Sequence, residues 1–289
     1  MFIGALEAGG TKMVCAVFDL DGMLVKKIRI PTTTPEETMP KMFEFFHQYP
    51  IQALGIASFG PITLHKESEH YGEITTTPKV SWRNFNIYQA FMKEFSIPIA
   101  LDTDVNVACL GEMKFGAALG CKSVVYITVG TGVGVGICVD GHILHGMMHP
   151  EAGHMLVKRH REDDFEGICG FHKDCIEGLC SGPAILARKN KPAELLEEDD
   201  CAWKFTAYYL AQMVVNLILT VSPEKVILGG GVLKRDFLIA RVREQTTAFL
   251  AGYVATEQLM HMDEYLVLPE GKELQGVRGA YLLAKDEIC

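Results

Sequence analysis

The chain has 289 residues, of which 48% are hydrophobic and 22% charged, and its formal net charge at pH 7 is −9. This length is sufficient for two lobes that each bury a core of their own. The acidic balance and the lack of a long basic run argue against nucleic acid or an anionic membrane surface as the main partner.

Cysteine usage and the apolar runs indicate the compartment. The nine cysteines are an odd number and their spacing is not that of a secreted disulfide framework, so a reducing cytoplasm is predicted. The N-terminus has no basic segment of a targeting signal. The most apolar run, 124–139, is interrupted by glycines and is too short to span a bilayer.

Residues 1–115 form the first predicted lobe. Periodicity and turn signals predict its elements in chain order. They are strands at 2–6, 13–18 and 24–30, a helix at 35–47, a strand at 54–58, a helix at 86–95, a strand at 99–101 and a helix at 104–115.

Residues 116–289 form the second predicted lobe, in which the last helix is able to pack back on the first lobe. Its elements are strands at 124–129 and 135–139, helices at 183–190 and 202–221, a strand at 225–228, a helix at 234–250, a strand at 265–268 and a helix at 275–285. Both lobes begin with a strand, a Gly/Thr turn, a strand and an Asp-Gly turn. That similarity is loose and leaves internal duplication and chance equally open. The alternation of strands and helices predicts an α/β protein with largely parallel sheets.

Glycine turns follow three of the predicted strands. They are Gly9-Gly10-Thr11-Lys12, the run 130–134 with Thr131 and Gly132, and Gly229-Gly230-Gly231. None matches the Walker A loop or the dinucleotide fingerprint. Each alone fits a tight turn better than a phosphate site. Three turns at strand ends, two of them with threonine, favour phosphate binding through backbone amides and hydroxyls.

An acidic cluster, Asp102-Thr103-Asp104-Val105-Asn106, ends one strand and opens a helix. Asp and Asn are preferred helix caps, so capping is the plain interpretation. Two aspartates and an asparagine exceed what one cap requires. A carboxylate here is suited to take a proton from a substrate hydroxyl, and spacing alone leaves open which aspartate does so.

A metal site is indicated by a Cys-x2-His-x2-Cys motif. Cys169, His172 and Cys175 provide three zinc-type ligands in one loop, and His154 is able to complete a tetrahedron. Four protein ligands leave no position for water, so the predicted Zn²⁺ is structural. The alternative is a pair of free cysteines beside two surface histidines.

Together these segments resemble the ROK-family sugar kinases over essentially the whole chain, and the opening is most similar to the fructokinase branch. The segments that carry the resemblance are EAGGTK (7–12), ASFGPI (57–62), TTPKVSW (76–82), DTDVNVACLGE (102–112), TVGTGVGVG (128–136), PEAGH (150–154), the Cys/His loop with Glu177, SGPA (181–184) and LGGGV (228–232). The resemblance implies an actin-like (ribonuclease H-like), two-lobed ATPase fold with a duplicated mixed sheet and flanking helices. It also implies ATP-dependent phosphorylation of a hexose with Mg²⁺, and a homodimer.

The resemblance assigns roles residue by residue. Asp104 corresponds to the catalytic base. The phosphate-binding positions are Gly9, Gly10, Thr11, Lys12, Thr131 and Gly132. The adenosine-binding positions are Pro183, Gly229, Gly230 and Gly231. The sugar-contacting positions are Glu151, Glu177 and Asn106. The zinc ligands are His154, Cys169, His172 and Cys175.

Fructokinase, which converts D-fructose to fructose 6-phosphate, is therefore the predicted activity. A kinase of mannose or glucose and a non-catalytic sugar-sensing regulator remain alternatives. Thr103 stands where many members have an asparagine, which leaves the hexose preference open, and Glu7 stands where many have an aspartate. Regulators of the family carry a DNA-binding extension before the first strand. The first strand here begins at Phe2, which favours the kinase.

Overall fold

The structure, a computed structural model, describes residues 1–271 and 274–288. The chain divides into two compact units. The first contains Met1–Phe115, His145–His149 and the described residues from Gly271 onward, and the second contains Gly116–Leu144 and Pro150–Glu270. The chain thus leaves the first unit after residue 115 and returns to it at Gly271. The sequence had assigned this last segment to the second lobe, with a helix able to pack back on the first lobe.

The first unit is built on a five-stranded sheet with the spatial order β3-β2-β1-β4-β7. The strands of this unit are β1 (Phe2–Ala8), β2 (Lys12–Asp19), β3 (Leu24–Pro31), β4 (Ile51–Ser58), the short pair β5 (Glu73–Ile74) and β6 (Phe85–Asn86), and β7 (Ile99–Thr103). Strand β2 runs antiparallel to β1 and β3, whereas β1, β4 and β7 are parallel to one another.

The second unit repeats this topology in the order β10-β9-β8-β11-β12. Its strands are β8 (Val124–Val129), β9 (Val133–Val139), β10 (His142–Ile143), β11 (Lys225–Gly229) and β12 (Leu266–Val267). Here too a three-stranded antiparallel meander is extended by two parallel strands. The predicted α/β class with a duplicated mixed sheet is therefore confirmed.

Helices flank both sheets. They are α1 (Pro35–His47), α2 (Ile87–Glu94), α3 (Asp104–Phe115), α4 (Ile176–Cys180), α5 (Gly182–Lys189), α6 (Cys201–Val221), α7 (Asp236–Leu250), α8 (Glu257–Met260), α9 (Met262–Tyr265) and α10 (Gln275–Asp286). The longer helices match the predicted ones closely, except that 232–234 forms a 3₁₀ turn and α7 begins only at Asp236. The elements β5, β6, β10, α4, α8 and α9 were not predicted, because so few residues carry no detectable period.

The core of the first unit contains the predicted apolar stripe of α1. Met39, Met42 and Phe46 are buried, while Phe43 packs at the margin against Phe91. Trp82 is fully buried in the same core.

The core of the second unit is organised around α6. By length and composition alone this helix is able to cross a membrane, but 61% of its most apolar 18-residue segment is buried inside the protein. Trp203, Tyr209, Met213 and Leu217 all pack inside the second core. These contacts are those of a core helix in a folded unit.

Helix α10 belongs to the first unit because small residues allow its backbone to approach closely. A Cβ atom on Gly55 of β4 would lie 1.8 Å from the carbonyl oxygen of Ala280, and one on Gly279 would lie 1.9 Å from that of Val107. No side chain fits at either position. Val277 and Ala280 instead bury the alanine-rich face of β1 and β4 in a third core cluster.

Candidate functional site

The turn Gly9-Gly10-Thr11-Lys12 joins β1 to β2 and is held from within the first unit. The amide of Gly9 donates to the carbonyl of Lys12 at 3.0 Å. Thr32, just after β3, donates its hydroxyl to the Gly9 carbonyl at 2.7 Å and its amide to the Thr11 carbonyl at 3.0 Å. Thr11 and Lys12 remain exposed, so the turn is ordered yet open to a ligand.

The acidic cluster lies at the same edge of the sheet as this turn. Along the parallel strands, Ala8 of β1 is level with Ser58 of β4, and Ser58 is level with Thr103 of β7. Ligands of open α/β sheets bind at the carboxyl ends of such strands. The structure therefore brings the first glycine turn and Asp104 to one edge.

The two aspartates of the cluster have different surroundings. Asp102 is buried, and its Oδ1 accepts hydrogen bonds from the Thr103 amide and from Asn106 Nδ2, each at 2.7 Å. Thr103 Oγ1 accepts from the Asn106 amide at 3.2 Å, so it serves as a local helix cap. Asp104, the first residue of α3, is only half-buried. Access favours Asp104 as the group that meets a substrate.

Asn106 has no exposed surface in this structure. Its amide nitrogen supports Asp102, and its Oδ1 is buried without a hydrogen-bond partner. This position gives Asn106 a supporting role beneath the cluster, and its contact with a sugar stays a prediction.

A segment from the middle of the chain completes this edge of the first unit. His145 Nε2 lies 3.0 Å from Asp102 Oδ2, and His149 Nε2 accepts the amide of Ile62 at 3.2 Å. The hydrogen bond with Asp102 raises the pKa of His145 above its ordinary value of 6.5. Two histidines thus attach 145–149 to the first unit, a contact that no pattern in the sequence indicated.

The second glycine turn, after β8, lies against Glu177. The amide of Gly130 donates to the carbonyl of Gly132 at 2.8 Å, and the amide of Val133 donates to Glu177 Oε2 at 3.0 Å. A Cβ on Gly132 would lie 2.6 Å from the same carboxylate oxygen. The predicted phosphate turn and a predicted sugar-contacting carboxylate are therefore in direct contact.

The third glycine turn lies beside the second one. Gly229 of β11 is level with Thr128 of β8, and a Cβ on Gly230 would lie 2.3 Å from the carbonyl oxygen of Val129. The amide of Gly182, the residue before Pro183, donates to the Gly130 carbonyl at 2.7 Å. The predicted phosphate and adenosine segments of the second unit thus form one continuous group at the carboxyl edge of its sheet.

Glu151 and Glu177 interact as a carboxylate pair. Burial raises the pKa of Glu151 to about 7, and repulsion from the charge on Glu177 adds to the shift. Both side chains retain exposed surface. Two acceptors of this kind are suited to bind neighbouring hydroxyls of a sugar.

The Cys/His motif has the geometry of a tetrahedral metal site. The four candidate ligand atoms of His154, Cys169, His172 and Cys175 lie within 4.8 Å of one another. His154 Nδ1 is 3.6 Å from the sulfur of Cys169 and 3.5 Å from that of Cys175. Ordinary Zn–S and Zn–N bond lengths at tetrahedral angles give a sulfur–nitrogen distance of about 3.6 Å. The donor set and its spacing therefore fit Zn²⁺.

Backbone hydrogen bonds define the shape of the ligand loop. Cys169 and Lys173 exchange two backbone hydrogen bonds, of 3.1 and 2.9 Å, and Ile168 donates its amide to the Gly178 carbonyl at 3.0 Å. Burial raises the pKa of the Cys175 thiol to about 11. Zinc binding requires the thiolate, so the ion would displace that proton. On its other side, the His154 ring has Nε2 3.9 Å from Glu177 Oε1, which links the ligand set to the carboxylate pair.

A buried ion pair fastens the segment before the metal loop. Arg188 of α5 donates to Asp163, and Tyr209 of α6 donates to the same carboxylate at 2.6 Å. Burial works to raise the pKa of Asp163, but the hydrogen bonds from Arg188 and Tyr209 outweigh it and lower that pKa. Phe165 stacks on the Arg188 guanidinium at 4.3 Å. Cys180, buried at the α4 terminus, lies outside the ligand set, as the sequence predicted.

One further residue near the first turn was not assigned from the sequence. The side chain of Lys79, in the 76–82 motif, lies over Gly10. The TTPKVSW pattern marked the motif without indicating what Lys79 contacts, because the two residues are distant in the chain.

Two sheets of one topology, each with glycine turns at its carboxyl edge, define the actin-like, ribonuclease H-like ATPase fold. The chain belongs to the ROK family, whose model matches residues 3–287. It is 41% identical to a fructokinase of Pediococcus pentosaceus, over 99% of this chain and 98% of the relative. It is 42% identical to a fructokinase of Zymomonas mobilis, over 97% and 95%. A ROK hexokinase structure from Thermus thermophilus matches with a TM-score of 0.80 and 26% identity, covering 100% of this chain and 99% of that one.

Proposed function

We propose that this protein is an ATP-dependent fructokinase that converts D-fructose to fructose 6-phosphate. The observation that carries the proposal is full-length identity of 41–42% to fructokinases of two organisms. The predicted base and phosphate turns lie at the carboxyl edges of the two repeated sheets, where this type of fold binds ligands.

In the proposed reaction Asp104 is the general base. It accepts the proton of the fructose 6-hydroxyl while that oxygen forms a bond to the γ-phosphorus of ATP. The bond between the γ-phosphorus and the β,γ-bridging oxygen breaks, and ADP leaves with the electron pair. Asp104 then returns the proton to solvent. The buried Asp102, bonded to Asn106 and Thr103, keeps the first turn of α3 in place for this transfer.

The backbone amides of the glycine turns bind the phosphates in this proposal. In the first unit these residues are Gly9, Gly10, Thr11 and Lys12, and in the second unit they are Thr131 and Gly132. Pro183 and Gly229–Gly231 bind the adenosine. Mg²⁺ would accompany the ATP and would supply positive charge that offsets the charge of the phosphates.

Glu151 and Glu177 bind the sugar, and Zn²⁺ held by His154, Cys169, His172 and Cys175 fixes their position. Support comes from the fit of the four ligand atoms to a tetrahedral ion and from the contact between the rings of this centre and Glu177. Such a site closes one protein segment upon another and takes no part in the chemistry.

We also propose that the protein works in the cytoplasm as a homodimer, without nucleic acid or membrane as a partner. The eight cysteines within the described residues are all free, which agrees with a reducing compartment. Analytical ultracentrifugation at assay concentration tests the dimer, because a single monomeric species would contradict it.

The activity is tested by a coupled ADP-release assay with fructose, mannose, glucose and N-acetylated hexoses. We expect the highest kcat/KM with fructose and a product that is the 6-phosphate by NMR. A higher kcat/KM with mannose or glucose would replace the proposed substrate. If the protein binds a sugar but releases ADP with none of them, the result would instead support a sugar sensor.

A further inference from the structure

Lys79 lies directly over the first glycine turn. A Cβ atom placed on Gly10 would be 3.7 Å from Lys79 Cε, which is ordinary van der Waals contact. The aliphatic part of the side chain therefore rests on the Gly10 backbone, within reach of whatever the turn binds. Lys79 as a whole is half-buried.

The short loop that carries Lys79 is anchored on both sides. Trp82 is fully buried and donates its indole N–H to the Thr33 carbonyl at 2.7 Å, and its amide donates to the Lys79 carbonyl at 2.8 Å. Thr77 is also buried, and its carbonyl accepts from Arg83 Nε at 2.8 Å. The backbone of Lys79 is thus positioned by the core, which reduces the entropy lost when its side chain binds a ligand.

Two lysines, Lys12 and Lys79, lie in or beside this turn in an otherwise acidic protein. Within the residues that the structure describes, neither Lys79 nor Lys12 has a carboxylate within ion-pair distance, although the chain carries a net charge of −9. A half-buried lysine usually has an acidic partner, since isolating its charge from water is unfavourable. Lys12 within the turn and Lys79 beside it, together with accessible backbone amides, are suited to bind an anion.

We propose that Lys79 binds the terminal phosphate of the nucleoside triphosphate and stabilises the charge on the transferring phosphoryl group. The inference rests on the proposed kinase function, and adds a second cation to Lys12 of the glycine turn. In phosphoryl transfer the charge spreads over the oxygens of the transferred group, and a fixed cation beside them lowers the barrier. Lys79 forms no covalent bond and transfers no proton.

The proposal distinguishes the terminal phosphate from the other two. Lys79→Met removes the charge but retains the aliphatic contact with Gly10, and Lys79→Arg retains a cation. Lys66→Met, an exposed lysine of the same unit, is the matched control. Binding of ATP and of ADP to the full-length protein is measured by isothermal titration calorimetry without sugar, and kcat and KM are measured with fructose.

For Lys79→Met we expect ATP affinity to fall about 10- to 100-fold, as for loss of one charged hydrogen bond, with ADP affinity within about twofold of wild type. The kcat of Lys79→Met should fall by a larger factor than its ATP affinity. Lys79→Arg should restore part of both kcat and ATP affinity. Equal losses for ATP and ADP, or no loss for either, would overturn the assignment. If wild-type protein binds ATP but phosphorylates no hexose, the proposed function fails, while the ATP/ADP comparison still decides the role of Lys79.

Discussion

Glu177 occupies the space in which a side chain on Gly132 would have to lie, with Oε2 2.6 Å from the position of that missing Cβ. The same oxygen accepts a hydrogen bond from the Val133 amide. The other carboxylate oxygen of Glu177, Oε1, lies 3.9 Å from Nε2 of the His154 ring. Glu177 also follows Cys175 by two residues. One carboxylate therefore joins the second phosphate turn, the metal loop and the predicted sugar contact.

Gly132→Ala should separate Glu177 from the second phosphate turn. The methyl group would push Glu177 away from the Val133 amide, and a displacement of about 1 Å at a reacting centre is able to cost about 10²-fold in rate. We expect kcat/KM for fructose to fall to that extent, with KM for fructose raised. Gly170→Ala is the control, because no atom lies within 4 Å of a Cβ there. Equal activity of the two variants would refute the coupling.

Asp104→Asn should abolish most turnover without unfolding the protein. The amide retains the size and a hydrogen-bonding oxygen of the carboxylate but does not take up a proton, and loss of a general base typically costs about 10²–10⁴-fold. Zinc content and ATP affinity should stay at wild-type levels. Asp199→Asn, at an exposed site, is the matched control. Near-normal turnover of the Asp104 variant would remove Asp104 from the mechanism.

Cys169→Ser and Cys175→Ser should lose the metal. Elemental analysis of wild-type protein is expected to give about one zinc per chain, and each variant much less, because serine is a poor zinc ligand. Since Glu177 is adjacent to the loop, KM for fructose should rise more than KM for ATP. Cys201→Ser, an exposed cysteine outside the cluster, should keep its zinc. Wild-type protein without zinc, at unchanged activity, would contradict the site.

The His145–Asp102 pair predicts a pH dependence of stability. The folded-state pKa of His145 is raised by Asp102 above 6.5, so the pair stabilises the fold fully below that ordinary value. This contribution is lost as the pH rises through the raised pKa. The difference in unfolding free energy between wild type and His145→Gln should therefore be larger on the acidic side of this range than on the alkaline side.

NMR titration of the imidazole checks the cause directly. The pKa of His145 in wild type should exceed 6.5, and Asp102→Asn should lower it. His65→Gln, at an exposed histidine of the same unit, is the control for the stability measurement. A stability difference that does not change with pH would show that the pair contributes packing alone.

Local patterns were sufficient to predict much of this protein. Helix α1 was predicted from its apolar period and α3 from its acidic start, because both signals lie within a few residues. The candidate ligands Cys169, His172 and Cys175 were predicted from their spacing within one loop, with His154 as the fourth, and the structure brings all four together. The duplicated topology became certain only when the strand order was known, since the two glycine turns resemble each other only loosely.

The relationships that sequence did not reveal join residues far apart in the chain. His145 contacts Asp102, Lys79 covers Gly10, and Glu177 packs on Gly132. Each depends on which strand ends lie side by side and on where a loop is anchored. A single sequence contains no periodic signal for such contacts, and each partner taken alone has the composition of an ordinary turn or surface residue.

The position of α10 has a consequence for how the chain acquires its structure. Ile3, Ala5, Ala53 and Ala57 are synthesised early, but the face they form is buried by Val277 and Ala280 near the end of the chain. The first unit is therefore left with an uncovered apolar face until α10 has been synthesised. Such long-range contacts slow folding, because a large loop must close before they form. Deletions at the carboxyl terminus should accordingly reduce soluble yield even though they leave Asp104 and the first glycine turn intact.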